Sequence, residues 1–136
     1  MRKKYFFGIG IVLICLAGWG IYKVYKPHGN VESEQAVATL TATSLYNEFL
    51  NGESIANKKW VGKVIEITGI ISSVSEAGNY ISINLGASSE GGVNCSMLKK
   101  DLPEGTQFKK GDSVTVKGKC TGFLMDVNLV DCIIKK

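Results

Sequence analysis

Four cysteines, at positions 15, 95, 120 and 132, and a single histidine, His28, carry most of the chemical potential of this 136-residue chain. A thiolate nucleophile needs a base to take its proton, and a closed zinc site needs four well-placed sulfur, nitrogen or carboxylate ligands. No histidine follows position 28, and no two cysteines stand in a C-x-x-C. The carboxylates are scattered, without the facing pair that glycoside hydrolysis uses. These residues point away from an enzyme: no catalytic residue, no metal ligand and no cofactor is expected. His28 reads as a surface residue of a polar stretch.

The thiols retain one option. Cys95, Cys120 and Cys132 fall on the apolar phase of alternating segments, where a thiol packs as a small hydrophobic residue. Three buried thiols are one outcome. In an oxidising compartment a second is open, because Cys120 and Cys132 flank the last hairpin. A two-residue turn at Leu124 and Met125 sets Cys120 opposite Leu129, three residues short of Cys132, so this pairing needs a bulge or offset. Cys120 and Cys132 are the candidate disulfide, with Cys95 left over, and their bond would contribute on the order of 3 kcal/mol.

The elements that position these residues are mostly strands. Residues 41–52 place Leu45 with Phe49 and Tyr46 with Leu50 at helical spacing, with Gly52 as a stop, and a second helical turn is expected over residues 53–59. The period then changes to two. Residues 61–75 form a β-branched run whose Gly69 suggests a bulge or bend. Residues 79–85 put Ile81, Ile83 and Leu85 on one side; residues 91–98 do the same with Val93, Cys95 and Met97. Val114, Val116 and Cys120 share a face of residues 112–122, and the last strand, 126–134, needs a shift near Asp131 if Cys132 is to face inward. Five strands, the first long and bent, with an irregular segment over 99–110 between the third and fourth, follow the order of the OB-fold barrel.

Such barrels bind ligands across their second and third strands and the adjoining loops. The outward phase there consists of Tyr80, Ser82, Asn84, Asn94 and Ser96, the candidate ligand-binding residues, bordered by loops 75–79 and 122–126. They offer hydrogen bonds and one ring. Trp60 and Phe123 could add rings, or could instead cap an open end of the barrel. The lysine pairs 99–100 and 109–110 lie among Asp101, Glu104 and Asp112, which suits a solubilising role or contact with anionic headgroups.

At the amino end, residues 5–22 are uncharged and mostly apolar, and would span roughly 27 Å as a helix, against a hydrocarbon core of about 30 Å. Residues 1–25 therefore read as a signal anchor or transmembrane helix. Arg2, Lys3 and Lys4 precede it, and only Lys23 and Lys26 closely follow, so the amino terminus is expected in the cytoplasm and the rest outside. A lipoprotein signal would need a small residue before Cys15, where Ile14 stands; cleavage after Gly18 or Gly20, or near Ala36 and Ala38, is a second alternative. Residues 26–40 read as a polar tether, and 41–136 as the barrel domain. The net charge of +4 belongs to the anchor's flanks, since from residue 41 onward eleven lysines face ten carboxylates. The domain lacks the positive field that phosphate backbones reward.

The segments LYNEF, ANKKWVGKVIEITGIISSVS, VNCSM and KKGDSVTVKGKCTGFLMDVNLVDCII, between residues 45 and 134, resemble the tRNA-anti-like family of bacterial OB-fold proteins. The resemblance implies an OB-fold behind an amino-terminal anchor or lipoprotein signal, and it supplies no catalytic motif. The expected protein is all-β with short N-terminal helices, a single-pass inner-membrane protein with a periplasmic barrel. It would bind an unknown protein or oligosaccharide partner; single-stranded nucleic acid, as in tRNA-binding barrels, is the alternative.

Overall fold

The computed structural model describes the backbone of residues 2–24 and 31–135, and the side chains of 8–19 and 31–135. His28 and the start of the expected tether lie outside the described residues. The chain divides into two compact units, Met1–Asn30 and Val31–Lys136.

The first unit contains helix α1, Arg2–Val24. It covers the apolar run expected to be helical, and Ile9, Ile11, Val12, Leu13, Ile14 and Leu16 all expose their side chains. Among the described residues no helix is long and apolar enough to cross a membrane.

In the second unit, strand β1 (Thr39–Thr41) leads into helices α2 (Ala42–Asn51) and α3 (Glu53–Trp60). Strands β2 (Val64–Ala77), β3 (Tyr80–Gly86), β4 (Gly92–Leu98), β5 (Ser113–Leu124) and β6 (Asp126–Lys135) follow, with a single 3-10 turn at Lys99–Asp101 between β4 and β5. Pairing runs β2-β3-β4-β6-β5, and β5 returns to β2, which closes the five-stranded barrel. Closure leaves β2–β6 without the open edges that invite aggregation. The long β2 makes it possible: Val64 to Ile70 pair with β5, and Ile70 to Ala77 pair with β3. Its register shift falls between Ile71 and Ser73, beyond the glycine expected to mark the bend. Gly69 serves close approach instead, since a Cβ there would lie 2.9 Å from Ala42 Cβ and 3.0 Å from Leu85 Cβ.

Helix α2 forms because Thr41 caps it, its Oγ1 accepting from the Ser44 N–H at 3.1 Å, and because Ala42, Leu45, Tyr46 and Phe49 make one buried stripe. That stripe packs with Ile65, Ile67, Ile83, Leu85, Val93 and Leu129 in a single core.

Residues 31–40, expected as a free tether, are built onto the barrel. Val31 is buried, the Val37 N–H donates to Val64 O and the Glu66 N–H to Ala38 O, and β1 pairs in parallel with Glu66, Ile67 and Thr68. Lys117, on the outward phase of β5, is covered as well: it is 8% exposed and its Nζ donates to Glu32 O at 3.4 Å. The compact unit thus starts at Val31, ten residues ahead of the boundary read from hydropathy, because a short edge strand of polar residues leaves little periodicity to detect.

Candidate ligand-binding face

Strands β3 and β4 pair without interruption, Tyr80 opposite Leu98, Ser82 opposite Ser96 and Asn84 opposite Asn94. Unbroken register keeps alternate side chains on one side, so the five residues named from sequence share the outer face of this ladder while Ile81, Ile83, Leu85, Val93, Cys95 and Met97 fill the interior. Tyr80 is 52% exposed, at the open end of β3; the other four are half-buried.

Two neighbours extend the face. The parallel pairing of β4 with β6 sets Asn128 beside Asn94, and the Asn94 Nδ2 donates to Asn128 Oδ1 at 3.4 Å. On the other side the Ser72 hydroxyl of β2 donates to Asn84, within 3.0 Å of both its backbone oxygen and its Oδ1. Ser72, Asn84, Asn94 and Asn128 therefore run as a polar row across four strands, about 15 Å at the usual strand spacing. The sequence reading missed Ser72 and Asn128. Asn128 does alternate with inward Val127 and Leu129, but its neighbour in space is set by a parallel pairing that no local pattern announces.

The row opens at each end onto a shallow recess. One, of about 560 Å³, lies between α3 and the β5–β6 hairpin, lined by Glu53, Asn57, Phe123, Leu124 and Asn128. The other, of about 330 Å³, is lined by Ser72, Asn84, Ser88, Glu90 and Asp126. Asp126 is already engaged, its Oδ1 accepting from the Gly92 N–H at 2.8 Å. The face itself is uncharged. Lys99, beyond its Tyr80 end, is paired with Glu76 at 2.6 Å.

Trp60 does not join it, and Phe123 only borders the recess beside Asn128. Trp60 is buried, with its Nε1–H donating to Glu48 Oε2 at 2.7 Å, and Phe123 stacks on Phe49 at 5.7 Å and meets Tyr46 edge-on at 5.9 Å. Both rings close the barrel end under α2. Tyr80 is the exposed ring of the β3–β4 face itself.

The three thiols of the barrel lie on inward positions of its strands. Cys120 lies opposite Leu129 on one side, as the turn geometry required, and Cys95 lies opposite Leu129 on the other. All four cysteines are free, and the three of the barrel are buried. Interaction with Cys95, then burial, hold the Cys132 thiol well above its ordinary acid constant, and burial raises Cys120.

A candidate nucleic acid-binding lipoprotein from Klebsiella pneumoniae has a similar structure: TM-score 0.59 and 14% identity, over 82% of this chain and all of that one. Weaker likeness extends to an OBody bound to hen egg-white lysozyme (TM-score 0.43, 14% identity, 57% of this chain and 84% of that one). It extends also to asparaginyl-tRNA synthetase from Pyrococcus horikoshii (TM-score 0.42, 19% identity), where 57% of this chain matches 21% of the enzyme. At these identities the likeness concerns the fold. No curated protein matches the chain. The tRNA_anti-like family model covers residues 1–134, nearly the whole sequence, and the chain belongs to that family.

Proposed function

We propose that this protein is a non-enzymatic binding module held at the cytoplasmic membrane by its leading helix, with the barrel outside the cytoplasm, and that it engages a protein or oligosaccharide through the outer face of β3 and β4. The observation that carries the reading is the in-register row of Asn84, Asn94 and Asn128, with Ser82, Ser96 and the exposed ring of Tyr80 further along the same face. Amides and hydroxyls both donate and accept, so the row suits a neutral ligand rich in hydroxyl or amide groups, with the ring as an apolar platform. The eighteen-residue uncharged run behind Arg2, Lys3 and Lys4 supports the anchor and its orientation.

Single-stranded nucleic acid is the rival, favoured by the anticodon-binding barrels that share the fold. It asks for several stacking rings in a positive groove, and this face has one exposed ring, with half-buried Phe123 at its Asn128 recess, and no positive charge. The discriminating measurement is binding of the full-length protein in detergent to immobilised glycans and peptides, and to RNA and DNA oligomers across a salt series. A Tyr80→Ala variant should lower affinity for the true ligand about tenfold with an unchanged melting temperature. Oligonucleotide affinity that falls steeply with salt would replace the proposal with its rival. A carboxyl-terminal periplasmic reporter tests the address: activity only in the cytosolic version would reverse the topology.

A further inference from the structure

We propose that the tip of the β5–β6 hairpin, Leu124 with Met125, dips into a bilayer surface as a peripheral membrane contact of the barrel. These two are the most exposed large hydrophobic residues among those described, at 83% and 81%. Elsewhere in the barrel unit exposed apolar side chains such as Val37 and Ile55 stand singly along the chain, as is ordinary on a protein surface. The hairpin also holds its pair at a cost to the backbone. β5 and β6 pair as far as Leu124 opposite Asp126, which leaves Met125 alone at the turn with φ 63°, where glycine or asparagine is the ordinary choice. A large apolar side chain in a strained turn and in water adds nothing to the core, so folding does not account for it. The base of the turn is fixed. A Cβ on Gly91 would lie 2.8 Å from Met125 O, and Asp126 Oδ1 accepts from the Gly92 N–H at 2.8 Å, so the start of β4 clamps the turn while its side chains project.

Two arguments make the occupant a lipid surface. Two adjacent side chains on a projecting turn fall far short of the roughly 800 Å² per partner that a stable protein interface buries. A bilayer asks less, because leucine and methionine side chains enter the headgroup boundary without taking a hydrogen-bonding group out of water. The second argument is chain length, and it rests on the anchor reading proposed above. Residues 25–30 are all the chain between Val24 and Val31, and a segment of that length extends at most about 25 Å. A bilayer that holds the leading helix therefore keeps the barrel within that reach of its surface. So short a tether gives an effective concentration on the order of millimolar, at which a contact too weak to recruit a free protein still orients a tethered one. Met125 stands at the Gly91 end of the β3–β4 ladder and Tyr80 at the opposite end, so insertion of the tip turns the exposed ring of the ligand face away from the lipid.

The test reconstitutes the full-length protein in phosphatidylethanolamine–phosphatidylglycerol vesicles that contain a phospholipid with a diazirine high on its acyl chain. Lipid adducts formed on illumination are then mapped by peptide mass and fragmentation. Adducts are expected on residues 5–22 and at Leu124 and Met125, with the rest of the barrel at background. In a double variant, Leu124→Asn with Met125→Gly, the hairpin adducts should fall by about fivefold or more while those on residues 5–22 stay level. Its unfolding midpoint should hold, because glycine accepts the positive φ that methionine is strained to adopt. Labelled residues 5–22 with an unlabelled hairpin overturn the proposal and leave the anchor standing. A labelled hairpin without labelled residues 5–22 upholds the contact and removes the anchor, and labelling of neither removes both. Hairpin adducts that persist in the double variant overturn the proposal, since the contact then does not depend on the two side chains. So does a photoreactive amino acid in place of Met125 that captures a polypeptide and no lipid in intact cells, which makes the tip a protein contact.

Discussion

Hairpin β3–β4 pairs residue for residue from Tyr80 opposite Leu98 to Gly86 opposite Gly92, whereas β5–β6 loses register twice, between Lys117 and Lys119 and between Cys120 and Gly122. Both place side chains in the one core, yet they divide the work. The regular hairpin holds a flat outer face on which alternate polar residues line up, as a ligand platform needs. The irregular one bends β5 and β6 around the barrel, re-aims Cys132 inward, and carries the strained backbone at Met125 and Asp131, both with positive φ. Regularity presents a surface; bulges close the barrel beneath it.

The sharpest way to break this comparison is a single methyl group at the tight end of the regular hairpin. A Cβ on Gly92 would lie 2.0 Å from Leu85 O and 2.9 Å from Asn84 Oδ1, and the first of these is backbone that cannot swing aside. Gly92→Ala should cost more than about 3 kcal/mol in denaturant unfolding, because the ladder must shift to admit it. A loss below about 1 kcal/mol would mean that the hairpin end is looser than its pairing indicates.

The irregular hairpin should yield more gently, and in a way that names its partner. A Cβ on Gly118 meets Cys132 Sγ at 2.5 Å and Leu129 Cβ at 3.3 Å. Gly118→Ala in the reduced protein should cost about 1–3 kcal/mol. Combined with Cys132→Ala, it should cost less than the two changes summed, by about 1 kcal/mol, since removing the sulfur removes the clash. Strict additivity in that cycle would place the crowding elsewhere than on the thiol.

The same contrast explains what could be read from the chain. Period-two alternation over residues 79–85 and 91–98 is unbroken in β3 and β4, so the core set and the outward set, Tyr80 to Ser96, were legible together. The shift near Asp131 was legible too, because without it Cys132 would point to solvent. The influence of Cys95 on that thiol was not, because Cys95 lies on β4, across a parallel pairing that no local pattern announces. Residues 31–40 escaped notice for another reason. Their place is fixed by backbone hydrogen bonds to Val64 and Glu66 and by covering Lys117, interactions that hydropathy does not record.

The smallest expected effect is a pH dependence that belongs to the irregular hairpin. Cys120 on β5 and Cys132 on β6 both have acid constants raised in the folded state. Unfolded, each thiol ionises near pH 8.5. Below that value both states hold the proton and the stabilisation is complete; as pH rises toward the folded values, only the unfolded chain releases protons, and stability falls. The slope is about 1.4 kcal/mol per pH unit for each shifted thiol. Unfolding midpoints of the reduced protein between pH 8 and 9.5 should therefore decline, and Cys120→Ser should remove about half of the slope. A reduced protein whose stability is level across this range would show that the β5–β6 hairpin admits water to its thiols, and that its bulges are openings and not closures.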